Sequence, residues 1–506
     1  MAYDRGILHL AADRPRTSRA FVALLGVLTT FTFEPLGWGL IAPLLIAPLL
    51  FIALTVSPRD AGGHFFWYGL GLFISGTYWI QISVAGFGGA PMWVAMVLML
   101  GLALLMSAWL WLGGWAISRF SHGEPWVLLL VGPAVWVLIE WLRGWAFTGF
   151  PWLALGYGQV DTWLAGWAPL LGVYGASFAV AMSAAAVVIV TMTKAPQRWY
   201  GLGLVIAPWL LGLLLGAIDW TEPSGKPVRT TIIQGGISQD LKWLPQQRLP
   251  TLSFYRNATR DVPDSALVVW PEVAVPAVLS QVEEYVTALQ SDIGANEQTL
   301  FFGVLERIAD DDRALIYNSV VAINGSDRQI YRKRHLVPYG EYFPVPQFVR
   351  DWMKSMNLPY NDLSKGDAVQ PLLTTGDGLQ VATAICYEDA YAAEMLYAFP
   401  DAGLIINVSN DAWFGDSIAA HQHLEIARMR SLETGRPTIR ATNTGISAFI
   451  DHHGEIVKQG PQHMPVSLSS QVQPQRGATP FVSGGNTPIV LLCALILAAS
   501  WIRSRA

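Results

Sequence analysis

Ala384-Ile385-Cys386-Tyr387-Glu388-Asp389 closes a short apolar run that begins at Val381, and it places one of only two cysteines at the end of a predicted strand. Two other stretches end in reactive groups in the same way. Trp270-Pro271-Glu272 follows the run from Ala266, and Tyr331-Arg332-Lys333-Arg334-His335-Leu336 carries a lysine in a basic turn. A carboxylate, a lysine and a thiol suffice to cleave an acyl bond through a covalent thioester. The carboxylate takes the thiol proton, the ammonium stabilises thiolate and oxyanion, and the sulfur attacks.

Around these residues the sequence alternates strands with helices. Strands are expected at Val228–Ile233, Ala266–Trp270, Leu300–Leu305, Ser319–Ile323, Val381–Cys386, Gly403–Val408 and Ser447–Ile450, with helical patterns at 279–291 and 419–434. Such alternation predicts an α/β domain with an extensive sheet. Reactive groups at strand ends sit where α/β folds gather their sites. Gly/Ser/Pro-rich joints at 222–227 and 474–487 set the domain apart.

The rest of the chain is of another kind. Of 506 residues 52% are hydrophobic and 14% charged, and residues 1–220 hold 17 of the charged side chains while 221–506 hold 52. Apolar stretches able to cross a ~30 Å hydrocarbon core fall at 20–36, 38–56, 62–81, 92–118, 126–146, 164–192, 199–218 and 485–502. This predicts about eight transmembrane helices: seven in a domain over 1–220, then an external catalytic domain over 221–484, then one helix over 485–506. The apolar run near the N-terminus continues into further spans, which argues against a cleaved signal peptide.

Short loops assign the sides. With a cytoplasmic N-terminus, that side receives Arg5, Arg14, Arg16, Arg19, Arg59, Arg119, Lys194, Arg198, Arg503 and Arg505, and the opposite short loops receive Arg143 alone. Lys and Arg concentrate on the cytoplasmic face, so both termini are expected there and the segment 221–484 outside. Glu140 and Arg143, three apart on the fifth span, read as an interfacial ion pair. A net charge of −5 with no basic block excludes a general nucleic-acid binder. Two cysteines, with Cys493 in the last apolar run, build no disulfide framework. His421 and His423 are two apart and share no helix face, so no metal site is expected.

In their order and contexts, Glu272, Lys333 and Cys386 resemble the Glu-Lys-Cys triad of the nitrilase (carbon-nitrogen hydrolase) superfamily. Fuller strings resemble one branch of it, the bacterial apolipoprotein N-acyltransferases: Ile233-Gln234-Gly235 with Leu241-Lys242-Trp243, His335-Leu336-Val337-Pro338-Tyr339-Gly340-Glu341-Tyr342, Cys386-Tyr387-Glu388, and Asn407-Val408-Ser409-Asn410-Asp411-Ala412-Trp413-Phe414. The resemblance implies an α-β-β-α sandwich over about 228–475, with Glu272 as general base, Lys333 as oxyanion stabiliser and Cys386 as nucleophile. Glu341 and Glu388 match further acidic positions of the branch, and the backbone N–H of Tyr387 is placed to join the oxyanion site. Val273, Tyr339 and Gly236 depart from the residues usual there.

The resemblance further implies a periplasmic domain on a bacterial inner-membrane protein, and two lipid substrates. These are a phospholipid acyl donor, typically phosphatidylethanolamine, and an apolipoprotein bearing an S-diacylglyceryl cysteine. It calls for no cofactor and no nucleic acid. Two rivals predict other features. A tethered amidase shares the triad without needing eight spans, and a transporter needs ionisable groups buried in several spans. Trp243 and Trp413 are candidate substrate contacts. After Glu341, Val345, Phe348, Val349, Trp352, Met353 and Met356 fall on one helix face, which fits either a helix packed against the sheet or an amphipathic lid.

Overall fold

The computed structural model describes residues 15–87, 90–310, 313–325, 327–342 and 362–503. They form two compact units: Met1–Trp220, Asp416–Glu425 and Thr479–Ala506 in one, and Thr221–Gly415 and Ile426–Ala478 in the other.

The first unit is helical because its sequence offers long apolar runs and little else. Helices Pro15–Thr30, Ala42–Thr55, Pro58–Gly76, Met92–Ser121, Pro125–Arg143, Ala168–Met192, Gln197–Gly216 and Thr487–Arg503 lie on the eight apolar stretches. Met92–Ser121, Pro125–Arg143, Trp163–Met192 and Gln197–Gly216 are long and apolar enough to cross a membrane, and Gly39–Thr55 and Thr487–Arg503 are shorter apolar helices. Local signals set the ends. Ser57 caps Pro58–Gly76, its hydroxyl accepting from the Asp60 N–H with proline at the helix start. Small residues let helices touch: a Cβ on Gly26 would strike the Tyr68 carbonyl, and one on Gly71 the Ala23 carbonyl.

Glu140 and Arg143 are not an interfacial ion pair. Both are buried, and each serves a different part of the loop that follows. Glu140 Oε1 accepts from the Trp136 indole at 2.8 Å and the Leu155 N–H at 2.9 Å. Arg143 donates to the Phe150 and Trp152 carbonyls at 2.8 and 2.6 Å. The loop they fasten has left-handed backbone at Phe147, Thr148, Gly149 and Leu153. The expectation failed because sequence spacing shows that two charges share a helix face, not that a folded-back loop offers each its own partners.

In the second unit, among the described residues, β1 (Glu222–Pro223) pairs with β15 (Gln475–Arg476), and two larger sheets carry the core. One has the order β14 (Val466–Val472), β2 (Val228–Gln234), β3 (Leu267–Val269), β5 (Thr299–Asp310), β6 (Arg313–Asn324), β7 (Asp327–Arg332), with β4 (Val275–Val278) also on β5. The other runs β13 (Ile456–Gln459), β12 (Ala448–Ile450), β11 (Thr438–Thr442), β10 (Leu404–Ser409), β9 (Gln380–Ile385), β8 (Leu373–Thr374).

Side-chain alternation makes the layers. Ile232, Leu267, Val269, Phe301 and Val320 face Val381, Ile385, Ile406, Val408 and Ile439 in one core between the sheets. Ile233, Val268, Leu300, Phe302 and Val321 point the other way, onto Leu252 and Tyr255 of helix Pro245–Arg260 and Val286, Leu289 and Ile293 of helix Glu283–Ala295. Each such side chain contributes ~1.5–3 kcal/mol on burial. The expected strands are present with shifted ends, while β1, β4, β7, β8, β11, β13, β14 and β15 were not anticipated. The β7 strand is half polar, and β11, Thr438-Ile439-Arg440-Ala441-Thr442, hides an arginine that only a buried partner allows.

Candidate active site

Strand ends bring the three reactive groups together. In the second sheet β9 and β10 are parallel, with Ile385 opposite Val408. Cys386, one residue beyond the register, turns out of β9 with φ of 52° and opens a helical turn through Ala390. A non-glycine residue in that region is uncommon. It sharply redirects the thiol from the end of its strand.

In the first sheet Lys333 extends β7, its N–H donating to the Asn318 carbonyl of β6 at 2.8 Å. Glu272 follows β3, on a turn held by the Gly303 N–H, which donates to the Pro271 carbonyl at 3.1 Å. Gly303 has no alternative there, since a Cβ would run into the backbone of Pro271 to Val273. Gly236, Val273 and Tyr339 have φ of 62°, 45° and 62°. Two of them therefore pair a side chain with a left-handed backbone beside the candidate site.

Lys333 Nζ is buried, 2.8 Å from Glu341 Oε1 and 3.7 Å from Glu272 Oε1. Burial alone would lower its pKa, but Glu341, Glu272 and Cys386 outweigh it and hold the ammonium above its ordinary value. The cation is thus permanent at any physiological pH. Cys386 behaves otherwise. Burial and then the Glu272 charge push its thiol well above the ordinary value, and Lys333 only partly offsets them. A cation beside the sulfur was expected to favour thiolate, yet the resting group is a thiol. Any attack by this sulfur must therefore be coupled to proton removal, and Glu272 is the carboxylate whose charge acts most strongly on it.

The two supporting glutamates do different work. Glu341 joins Lys333 as above, accepts from Asn318 Nδ2 at 3.2 Å, and takes the Val337 N–H at 2.8 Å. Glu388 ties the lysine turn to the cysteine turn. It accepts from Ile385 N at 2.7 Å, Arg334 N at 2.6 Å, His335 N at 3.2 Å and the Tyr331 hydroxyl at 3.0 Å. Burial pushes its pKa up, with Arg334 and the backbone N–H donors opposing. Tyr387 follows the nucleophile, its ring near His335 and Tyr391. Trp243 and Trp413 are exposed. Phe348, Trp352 and Met353, with the rest of the expected lid, lie outside the described residues.

Several groups were missed by the sequence reading. Asn318 Nδ2 donates to Glu272 Oε1 at 2.6 Å. Lys242 is buried with Nζ donating to the Glu272 carbonyl at 3.2 Å, and burial lowers it to about 8, against a raising influence from Glu272. Below the cysteine, Arg440 bridges Asp389 and Asp411, each at 3.1 Å, and donates to Asn407 Oδ1 at 2.6 Å. Lys242, Asn407 and Asp411 stood within quoted motifs, which was the available signal. Asn318 and Arg440 had none, because polar residues inside predicted strands look the same whether they face solvent or a site.

Comparison with known proteins adds an independent line. Residues 25–186 match the family described as the apolipoprotein N-acyltransferase N-terminal domain, and residues 229–477 match the carbon-nitrogen hydrolase family. The chain is 37% identical over 494 residues to the apolipoprotein N-acyltransferase of Photobacterium profundum, covering 95% of this chain and 94% of that one. It is 39% identical over 487 residues to that of Methylococcus capsulatus, covering 95% of each. Among solved structures, a mutant of the Nesterenkonia AN1 amidase from the nitrilase superfamily overlays 52% of this chain and 95% of its own, at TM-score 0.38 and 16% identity.

Proposed function

The chain belongs to the apolipoprotein N-acyltransferase family, and from that membership we propose that it moves an acyl chain from a phospholipid to the α-amine of an apolipoprotein's S-diacylglyceryl cysteine. The observation that carries the chemistry is the meeting of Glu272, Lys333 and Cys386 at three strand ends, with Lys333 Nζ 3.7 Å from Glu272. Glu272 takes the thiol proton as Cys386 Sγ attacks the acyl carbonyl of the donor. The ester C–O bond breaks, the proton passes to the leaving oxygen, and lysophospholipid departs from a Cys386 thioester. The acceptor amine then attacks the thioester, Glu272 takes a proton from nitrogen, the C–N bond forms, and sulfur leaves and is reprotonated. Lys333, with the Tyr387 N–H, stabilises the oxyanion in both steps.

The donor in this reading is phosphatidylethanolamine. Eight spans hold the protein in a bacterial inner membrane, with both termini cytoplasmic and the α/β unit periplasmic, as the Lys and Arg distribution supports. Both substrates are lipid-anchored, so an embedded enzyme gains proximity without extracting either from the bilayer. The test is intact-mass analysis of the purified protein after incubation with phosphatidylethanolamine. One acyl adduct on Cys386, discharged by a diacylglyceryl peptide, is expected. Amide hydrolysis with no adduct would replace this reading with that of a tethered amidase.

A further inference from the structure

We propose that Ser409 is a further catalytic residue, whose hydroxyl proton turns from Asp411 to the Cys386 sulfur as that sulfur acquires negative charge. The inference rests on Cys386 being the nucleophile. It goes beyond the Glu-Lys-Cys set because it adds a neutral donor to the reacting atom from the other side.

The register fixes the contact. Ile385 and Val408 are opposite one another in the parallel pair β9–β10, so Ser409, the last residue of β10, and Cys386, the first residue past β9, leave the same end of the pair. The Ser409 hydroxyl hydrogen-bonds the cysteine sulfur, and Ser409 Oγ also donates to Asp411 Oδ1 at 3.0 Å. A hydroxyl has one proton, so it cannot donate to both acceptors at once. With Cys386 a thiol, S–H donates to Ser409 Oγ and Ser409 donates to Asp411. Once Glu272 removes the thiol proton, sulfur becomes the anionic acceptor and the Ser409 O–H rotates to it. No covalent bond at Ser409 changes.

Asp411 can give up that hydrogen bond because its carboxylate keeps other donors. Arg440 Nη2 holds Asp411 Oδ2 at 3.1 Å, and the guanidinium is fixed in turn by Asp389 and Asn407. Ser409, Asp411 and Arg440 are all buried, where a hydrogen bond to a charged atom is worth more than in water. The thiolate arises twice per cycle, as nucleophile and as leaving group. In the thioester between them sulfur is a weak acceptor and Ser409 returns to Asp411.

The test uses full-length protein carrying Cys493→Ala, so that Cys386 is the only thiol, and follows its alkylation by iodoacetamide against pH. Ser409→Ala and Ser409→Val remove the hydroxyl, while Ser409→Thr keeps it. Alanine and valine should each slow alkylation roughly 10-fold at every pH from about 7 to 10, with threonine near the parent. An unchanged rate in the folded alanine or valine variant overturns the proposal, as does a slowing in threonine equal to that in alanine. Should neither hydroxyl-free variant fold, the S–H infrared stretch of the Ser409 protein decides: a band at hydrogen-bonded frequency supports the contact, and a free-thiol band overturns it. Acylation persisting in Cys386→Ala would remove the nucleophile assignment itself. An unmoved alkylation rate beside normal Cys386 acylation would remove only Ser409.

Discussion

Asn318 Nδ2 lies 2.6 Å from Glu272 Oε1, while the backbone carbonyl of the same asparagine accepts the Lys333 N–H at 2.8 Å. One residue of β6 therefore sets the candidate base and the candidate oxyanion cation in a common frame. Asn318→Leu should keep the strand pairing and free the carboxylate to swing, lowering acyl-enzyme formation by about 10- to 100-fold. Single-turnover acylation of Cys386 measures this, and a rate within 2-fold of the parent, about measurement scatter, would make Asn318 structural only.

Cys386→Ala should abolish the acyl adduct, whereas Cys493→Ala should leave turnover unchanged, because Cys493 is buried in helix Thr487–Arg503 among apolar neighbours. Intact mass after phospholipid incubation distinguishes the two.

Glu272→Gln and Lys333→Ala should each cost about 100-fold or more in acylation. Lys333→Arg should not rescue. The buried ammonium sits between Glu341 at 2.8 Å and Glu272 at 3.7 Å, a space that does not suit a planar guanidinium. Acylation by the arginine variant at the parent rate would mean that charge alone matters there.

Lys242 should leave a signature in stability against pH. Burial lowers it to about 8 from an ordinary 10.5, so between those values the unfolded chain binds more protons than the folded one. Stability attributable to this group therefore rises with pH from about 8 to 10.5 and is level below that window. In Lys242→Met this rise should be lost, so that the difference between the two proteins in thermal unfolding changes across the window. Parallel curves across the window would place the lysine in a solvated setting.

Reporter fusions after Ser57 and Lys194 should score cytoplasmic, and one after Ser224 periplasmic. A cytoplasmic score after Ser224 would separate the α/β unit from its proposed acceptor.

Periodicity and composition by themselves determined the two halves of this protein. The scarcity of charge over residues 1–220 and the alternation of short apolar runs after 221 follow from what a helix or a half-buried strand must hide, and local sequence records that directly. The order Glu272, Lys333, Cys386 was legible too, since each ends or follows an apolar run. Only the tertiary structure decided how the site works. The thiol rests protonated because burial and Glu272 together outweigh Lys333, a balance of distances that no spacing encodes. Asn318, Ser409 and Arg440 reach the site through cross-strand register, and Glu140 and Arg143 divide between separate partners through a loop that returns on its own helix. Those pairings join residues from 7 to 51 positions apart in the chain. Their partners exist only once the sheets and helices have closed on one another.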